Sequence, residues 1–195
     1  YQIVQAAIEE GATTVNIPDT VGYAIPRDFE QFIRNIQENV PDIHKARISV
    51  HCHNDLGMST ANSLAGALGG ARQIEGTMNG IGERAGNAPL EEIIMAIKTR
   101  PDFLNLHTDV NTRELYAVSK LVERVSGMAL QSHKAVVGKN AFRHSSGIHQ
   151  DGVLKMRQTY EIMDPSDIGI PAGSSIVLTK VSGSHGVRSR LADLG

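Results

Sequence analysis

Hydrophobic residues in the first half of the chain follow two alternating patterns. Short apolar or β-branched runs lie at 13–17, 47–52 and 73–78, and runs of this kind predict buried β-strands. Each run is followed by a polar loop and then by apolar residues at helical spacing. Three strand–loop–helix units in succession predict a parallel sheet with right-handed crossovers.

The predicted helices have recognisable ends and apolar stripes. A first helix contains Ile3 and Ala7 and ends at Gly11, which suits a left-handed cap. The later stripes are Phe29, Phe32, Ile33, Ile36 and Val40 after Pro26, then Ala61, Leu64, Ala65 and Leu68, then Leu90, Ile93, Ile94 and Ile97 after Pro89. Each stripe predicts a helix face that packs against the sheet.

Polar residues follow each predicted strand directly, in the segments 19–20, 51–55 and 79–87. Functional residues at the carboxyl ends of parallel strands are typical of TIM barrels and of doubly wound sheets. A dinucleotide-binding glycine motif is missing after the first strand, which favours the barrel. Eight units need about 250 residues, so we expect an α/β fragment that holds the last three βα units of a partial TIM (β/α)8 barrel.

The second half of the chain lacks this alternation. Asn111 and Glu114 resemble a capping box, and a packed core helix follows with Leu115, Val118, Val122 and Val125. Further expectations are a polar loop at 138–152, a short helix at 153–156, an extended segment at 160–165 and a last helix at 187–194. The domains are therefore predicted as 1–100, the C-terminal part of a TIM-barrel catalytic domain, and 101–195, a helical subdomain that covers the active site.

Composition narrows the class of protein. The 195 residues are 41% hydrophobic and 21% charged, with a formal net charge of −2, so neither nucleic acid nor an anionic membrane is an expected partner. The single cysteine fits a reducing, cytoplasmic location. No apolar run approaches the roughly 20 residues that span a bilayer.

The strand at 47–52 carries the most distinctive chemistry. Because side chains alternate along a strand, His51 and His53 project to one face and Cys52 to the other. Two imidazoles at a strand end suit a divalent metal, and Asn54 and Asp55 are placed to orient the rings. Two hydrogen-bonded histidines without a metal are the alternative, but His-x-His followed by Asn-Asp favours the metal.

Four segments resemble one enzyme family. They are Asn16-Ile17-Pro18-Asp19-Thr20-Val21-Gly22, His51-Cys52-His53-Asn54-Asp55-Leu56-Gly57, Asn79-Gly80-Ile81-Gly82-Glu83-Arg84-Ala85-Gly86-Asn87 and His144-Ser145-Ser146-Gly147-Ile148-His149-Gln150-Asp151-Gly152. The chain is similar, over essentially its whole length, to the Claisen-condensing TIM-barrel metalloenzymes that include 2-isopropylmalate, homocitrate and citramalate synthases. The fourth segment and Tyr160-Glu161-Ile162-Met163 are most similar to the isopropylmalate branch.

The resemblance implies a reaction and a metal. Acetyl-CoA and 2-oxoisovalerate would condense to 2-isopropylmalate and CoA in leucine biosynthesis, with a divalent ion (Mn²⁺, Mg²⁺ or Zn²⁺) as the Lewis acid. The implied metal ligands are His51, His53 and Asn87. From its spacing alone, Asn87 is better interpreted as a cap for the next helix.

The resemblance also assigns roles to other residues. Thr20 would bind the carboxylate of the keto acid, and His149 and Tyr160 would form an acid–base pair. Taken individually, Thr20 is more typical of a turn after Pro-Asp, and the other two are equally typical of structural polar residues. Supporting positions around the ligands would be Asn54, Asp55, Glu83, Arg84 and His144.

The chain departs from the family pattern in two ways. The Arg-Asp pair of the family's first strand, whose aspartate is a metal ligand, and a later acidic residue are absent, so we expect the isolated chain to have little synthase activity. Ser184 also stands where relatives commonly have arginine. The parent enzyme is expected to be a homodimer.

Three alternatives remain at this point. Homocitrate or citramalate synthase is possible within the family. A metal-dependent hydrolase on a similar barrel, or a non-catalytic metal-binding fragment, lies outside that activity.

Overall fold

The computed structural model describes residues 1–171 of the chain. Two compact units divide between Thr108 and Asp109. The elements are α1 (Gln2–Glu9), β1 (Thr14–Asp19), α2 (Pro26–Asn39), β2 (Arg47–Cys52), α3 (Ser59–Leu68), β3 (Gln73–Glu75), α4 (Leu90–Thr99), α5 (Pro101–Leu104), α6 (Leu115–Ser126) and α7 (Gly147–Lys155). Short 3-10 segments lie at Ile43–Lys45, Met78–Gly80, Thr112–Glu114, Arg157–Thr159 and Pro165–Ile168. Within residues 1–171, no helix is both long enough and apolar enough to cross a membrane.

The first unit contains a three-stranded sheet in the order β1-β2-β3. Both strand pairs are parallel, with Thr14 opposite Arg47 and Ser49 opposite Gln73. Since α2 connects β1 to β2 and α3 connects β2 to β3, the structure confirms the predicted α/β organisation with a parallel sheet.

Two strand ends differ from the prediction. β1 continues through Pro18 to Asp19, which an edge strand tolerates because its outer side needs no amide donor. β3 stops at Glu75 rather than at residue 78. Beyond Glu75, the backbone amide of Thr77 donates to the Ala88 carbonyl at 3.0 Å. The segment after Gly86 is therefore the backbone partner of this part of the chain.

The core of the first unit lies between α2 and β2. Ile33 and Val50 are fully buried there, together with Ile48 and Ile36. Phe32 was predicted as part of the same stripe, and this is wrong, because half of its surface is exposed. The stripe of α2 therefore follows the narrower set of positions that face β2.

Two predictions for the second unit are also wrong. The apolar seam of α6 is not a packed core throughout, because Val125 is 76% exposed and the buried residues of this helix are Leu115 and Ser119. The loop predicted at 138–152 ends early, since α7 begins at Gly147. The predicted helix at 187–194, like Ser184, lies outside the described residues.

Cys52 offers a test of the first unit's packing. Its side chain is fully buried, and this burial raises the pKa of the thiol from 9.0 to about 11. At pH 8 only about one thiol in a thousand is ionised, so we expect iodoacetamide to modify the native protein far more slowly than the urea-unfolded protein.

The same pKa shift predicts how the stability of the folded protein depends on pH. Because the folded pKa is raised, the contribution of the buried neutral thiol to stability is complete below about pH 9 and lost as pH rises through about 11.

In the iodoacetamide experiment, rapid alkylation of the native protein at pH 8, measured by mass spectrometry, would show that β2 is more exposed than described.

Candidate metal centre

The two histidines of β2 and its extension lie on the same face of the sheet, as predicted. Their Nε2 atoms are 3.0 Å apart, with ring centroids separated by 5.0 Å. Two nitrogens at this distance either share a hydrogen bond or bind one ion together. Cys52 between them is buried on the opposite face.

Asn87 is brought beside this pair by backbone pairing. The Ala88 amide donates to the Cys52 carbonyl at 3.0 Å, and the Asn54 amide donates to the Gly86 carbonyl at 2.9 Å. These bonds place Asn87 opposite His53 in an antiparallel bridge, where paired side chains project to one side.

The amide of Asn87 has one satisfied end. Its Nδ2 atom donates to the Ile81 carbonyl at 3.0 Å, whereas its Oδ1 atom is buried without a hydrogen-bond partner in the described structure. A buried acceptor in this state costs about 1–3 kcal/mol. Because this oxygen is free to bind a cation, the three residues fit a metal ion.

The donor set is small. Among residues 1–171, no group of three or more His, Cys, Asp or Glu side chains is arranged to hold a metal. The candidate ligands are thus the two imidazoles and the Asn87 amide oxygen. Mixed nitrogen and oxygen donors suit a divalent cation such as Zn²⁺ or Mn²⁺.

Arg84 connects the loops around these ligands. Its Nε atom donates to Asp55 Oδ1 at 2.8 Å, and its Nη2 atom donates to the Thr20 carbonyl at 2.8 Å and to His53 Nδ1 at 2.5 Å. The guanidinium lowers the pKa of the Asp55 carboxyl, so the contribution of this pair to stability is lost as acid protonates Asp55. Glu83 is 81% exposed beside Arg84.

The other predicted residues of the first unit lie close by. Thr20 is exposed, and its carbonyl accepts from Arg84. The Asn54 Oδ1 atom accepts from the Ser59 amide at 3.1 Å and from the Ser59 hydroxyl at 2.7 Å, so this amide holds the start of α3 rather than a ring.

Sequence reasoning missed the support for the loop after β1. The buried Asp19 accepts from the amides of Tyr23 and Ala24. Asn62 of α3 donates to the Ala24 carbonyl at 2.9 Å. A Pro-Asp pair at a strand end is a usable turn signal, but nothing in the local sequence around Asn62 indicates this contact.

The second unit brings together three of the predicted residues. The ring centroids of His149 and Tyr160 are 4.3 Å apart, and that of His144 lies 6.3 Å from His149. His144 Nε2 is 3.1 Å from Glu161 Oε1. A side chain on Gly152 would collide with the Tyr160 ring, so this glycine permits the ring to lie against α7.

Gln150 is a further residue that sequence reasoning did not single out for a role. Its side chain is buried in α7, and its Nε2 atom donates to the His144 carbonyl at 2.8 Å. It therefore fixes the backbone that carries His144. A buried glutamine between two glycines of a helix has no local signature.

Comparison with known proteins identifies the family. A family model described as HMGL-like matches residues 1–122, and one described as homocitrate synthase post-HMGL domain-like matches residues 136–195. Proteins named 2-isopropylmalate synthase from Pelotomaculum thermopropionicum and Heliobacterium modesticaldum are 59% and 61% identical over the whole chain. The chain spans 38% of the length of these relatives.

Solved structures share the fold at low sequence identity. The HMG-CoA lyase of Bacillus subtilis is 24% identical with a TM-score of 0.57, covering 68% of this chain and 44% of the lyase. Rhizobium etli pyruvate carboxylase is 16% identical with a TM-score of 0.53, covering 82% of this chain and 16% of the carboxylase. The predicted resemblance is confirmed, and the chain belongs to the HMGL-like family.

Proposed function

We propose that this chain is part of a 2-isopropylmalate synthase, which condenses acetyl-CoA with 2-oxoisovalerate to give 2-isopropylmalate and CoA. The observation that carries the proposal is the pairing of Asn87 with His53, whose ring contacts His51, together with the buried Asn87 oxygen that lacks a hydrogen-bond partner within residues 1–171. The 57–61% identity to relatives of that name supports the choice of reaction.

The proposed architecture follows from the sheet and the relatives. We propose that the three strand–helix units of 1–100 belong to the C-terminal part of a TIM barrel, because their parallel strands are joined by helices and no dinucleotide-binding glycine motif follows β1. In this proposal 101–195 is a helical subdomain, and the native enzyme is a homodimer.

The proposed site residues divide the work of the reaction. His51, His53 and Asn87 would hold a divalent ion, which stabilises negative charge on the keto oxygen when bound. Thr20 would bind the carboxylate of the keto acid. Asp55 and Arg84 keep the loops after β1 and β2 together through their ion pair.

The acid–base steps fall to the second unit in this proposal. His149 would take a proton from the acetyl methyl group, whose carbon then adds to the keto carbon, and the new alkoxide would take a proton from the Tyr160 hydroxyl. Passing that proton from His149 to Tyr160 would restore both groups, and their ring centroids are 4.3 Å apart. Water then cleaves the thioester and releases CoA.

An assay of CoA release tests the proposal directly. We use the native polypeptide, meaning the complete translation product that carries these 195 residues, with acetyl-CoA, Mn²⁺ and one keto acid at a time. We expect 2-oxoisovalerate to give the highest kcat/KM and EDTA to abolish turnover. Turnover of a substrate of metal-dependent hydrolases, with no CoA release for any keto acid, would overturn the proposed acyl transfer.

Homocitrate synthase is the second candidate. The match of residues 136–195 to a homocitrate synthase post-HMGL domain-like model favours it. In the same assay, this activity would appear as a preference for 2-oxoglutarate, and citramalate synthase activity as a preference for pyruvate.

A further inference from the structure

A carboxylate with no role in the proposed mechanism lies beside the first histidine. Glu75 of β3 is paired with His51 of β2 in the register of the sheet, and side chains of paired residues project to the same face. The Oε2 atom of Glu75 is 3.6 Å from the Nδ1 atom of His51. This nitrogen is not the one that approaches His53, since that contact uses Nε2.

Glu75 is held in place from all three strands. Its Oε1 atom accepts from the Ser49 hydroxyl at 3.1 Å and from Gln73 Nε2 at 3.4 Å. Its Oε2 atom accepts from Asn16 Nδ2 at 3.3 Å. The carboxylate is therefore anchored beside the ring rather than free to turn into solvent.

Partners on both sides of the histidine pair determine where the protons lie. A guanidinium only donates hydrogen bonds, so the contact of Arg84 Nη2 with His53 Nδ1 makes that nitrogen an acceptor. A neutral His53 then carries its proton on Nε2 and donates to His51 Nε2. The proton of His51 is left on Nδ1, on the side of Glu75.

We propose that Glu75 is a positioning residue for the metal ligand His51. Its carboxylate keeps the ring proton on Nδ1, so the lone pair of Nε2 is available to the ion. Metal-bound histidines usually donate their second ring N–H to such a partner, and losing it costs about 10–100-fold in metal affinity. This inference rests on the proposed function, because it assumes that His51 binds a metal.

The two ligands are consequently unequal. Glu75 prepares His51 for the ion, whereas His53 has to move its proton from Nε2 to Nδ1 and give up the contact with Arg84. The pair at 3.6 Å is longer than a hydrogen bond, and metal binding is expected to shorten it.

The test compares Glu75→Gln, Glu75→Asp and the matched control Glu38→Gln in the native polypeptide. Glu38→Gln makes the same chemical change at an exposed carboxylate of α2. We expect Glu75→Gln to weaken Mn²⁺ binding about 10–100-fold by calorimetry, Glu75→Asp to recover part of the loss, and Glu38→Gln to stay within about threefold of wild type. The ¹⁵N-histidine NMR measurement uses metal-free His53→Ala, in which the ring of His53 no longer donates to His51 Nε2. In that variant His51 should carry its proton on Nδ1, and adding Glu75→Gln should distribute the proton over both nitrogens.

The outcomes separate this inference from the proposed function. If wild type binds Mn²⁺ and Glu75→Gln keeps both its affinity and the His51 proton position, the inference is wrong whatever the enzyme does. Equal losses in Glu38→Gln and Glu75→Gln would also overturn it, as would a wild type that binds no Mn²⁺. If Mn²⁺ binding depends on Glu75 as expected but no keto acid is condensed, the inference stands and the proposed reaction fails.

Discussion

Replacing His51 or His53 with alanine is expected to weaken Mn²⁺ binding by well over the roughly 10–100-fold that follows loss of an outer partner. Each substitution removes one of the two ring nitrogens that lie 3.0 Å apart. Lewis-acid stabilisation of the transition state is worth several kcal/mol, so kcat/KM should fall by about a thousandfold or more at roughly 1.4 kcal/mol per factor of ten.

His44→Ala is the matched control for this experiment. His44 is an exposed histidine in the 3-10 segment Ile43–Lys45, just before the amino end of β2. The control should keep both the affinity for Mn²⁺, measured by calorimetry, and the rate of CoA release. Retention of wild-type affinity in both His51→Ala and His53→Ala would remove the candidate metal centre.

Gly86→Ala is expected to have the largest effect on stability among single substitutions in the ligand loops. Gly86 has a φ of 93°, and an added Cβ would overlap the carbonyl oxygen of Gly80. That carbonyl accepts a hydrogen bond from the backbone N–H of Asn87 at 3.0 Å. Backbone strain and overpacking each cost about 1–3 kcal/mol, so we expect a total loss of about 2–5 kcal/mol and weaker Mn²⁺ binding.

Gly57→Ala separates crowding from backbone strain. Gly57 also has a positive φ, 73°, but a Cβ there would meet no atom within 4 Å. Only the strain of a left-handed residue remains, about 1–2 kcal/mol. Urea unfolding should therefore show a clearly larger loss for Gly86→Ala. If both variants lost the same free energy of unfolding, the described contact between Gly86 and Gly80 would be wrong.

Local patterns predicted much of the first unit. The strand at Arg47–Cys52 was predicted with its observed bounds, because a run of apolar residues between charged ones has few other solutions. The shared face of His51 and His53 followed from the period of two along a strand. Helix stripes were less reliable, since Phe32 and Val125 are exposed despite their helical spacing.

The partners of the candidate ligands were beyond such patterns. Arg84 contacts Asp55 and the Thr20 carbonyl, and these residues are 29 and 64 positions away. Asn62 owes its role to a contact with the Ala24 carbonyl, 38 positions away. Nothing near any of these residues in the sequence indicates which distant group it contacts.

The sequence by itself determined the alternation of strands and helices, the pair of histidines on one strand face and the family. Each of these depends on neighbours in the chain, on a fixed period of side-chain direction or on motifs of consecutive residues. Only the tertiary structure decided that Asn87 lies opposite His53 and that Glu75 and Arg84 face opposite ends of the histidine pair. Those contacts join separate strands and loops, and they exist only once the sheet sets its register and the buried polar groups find partners.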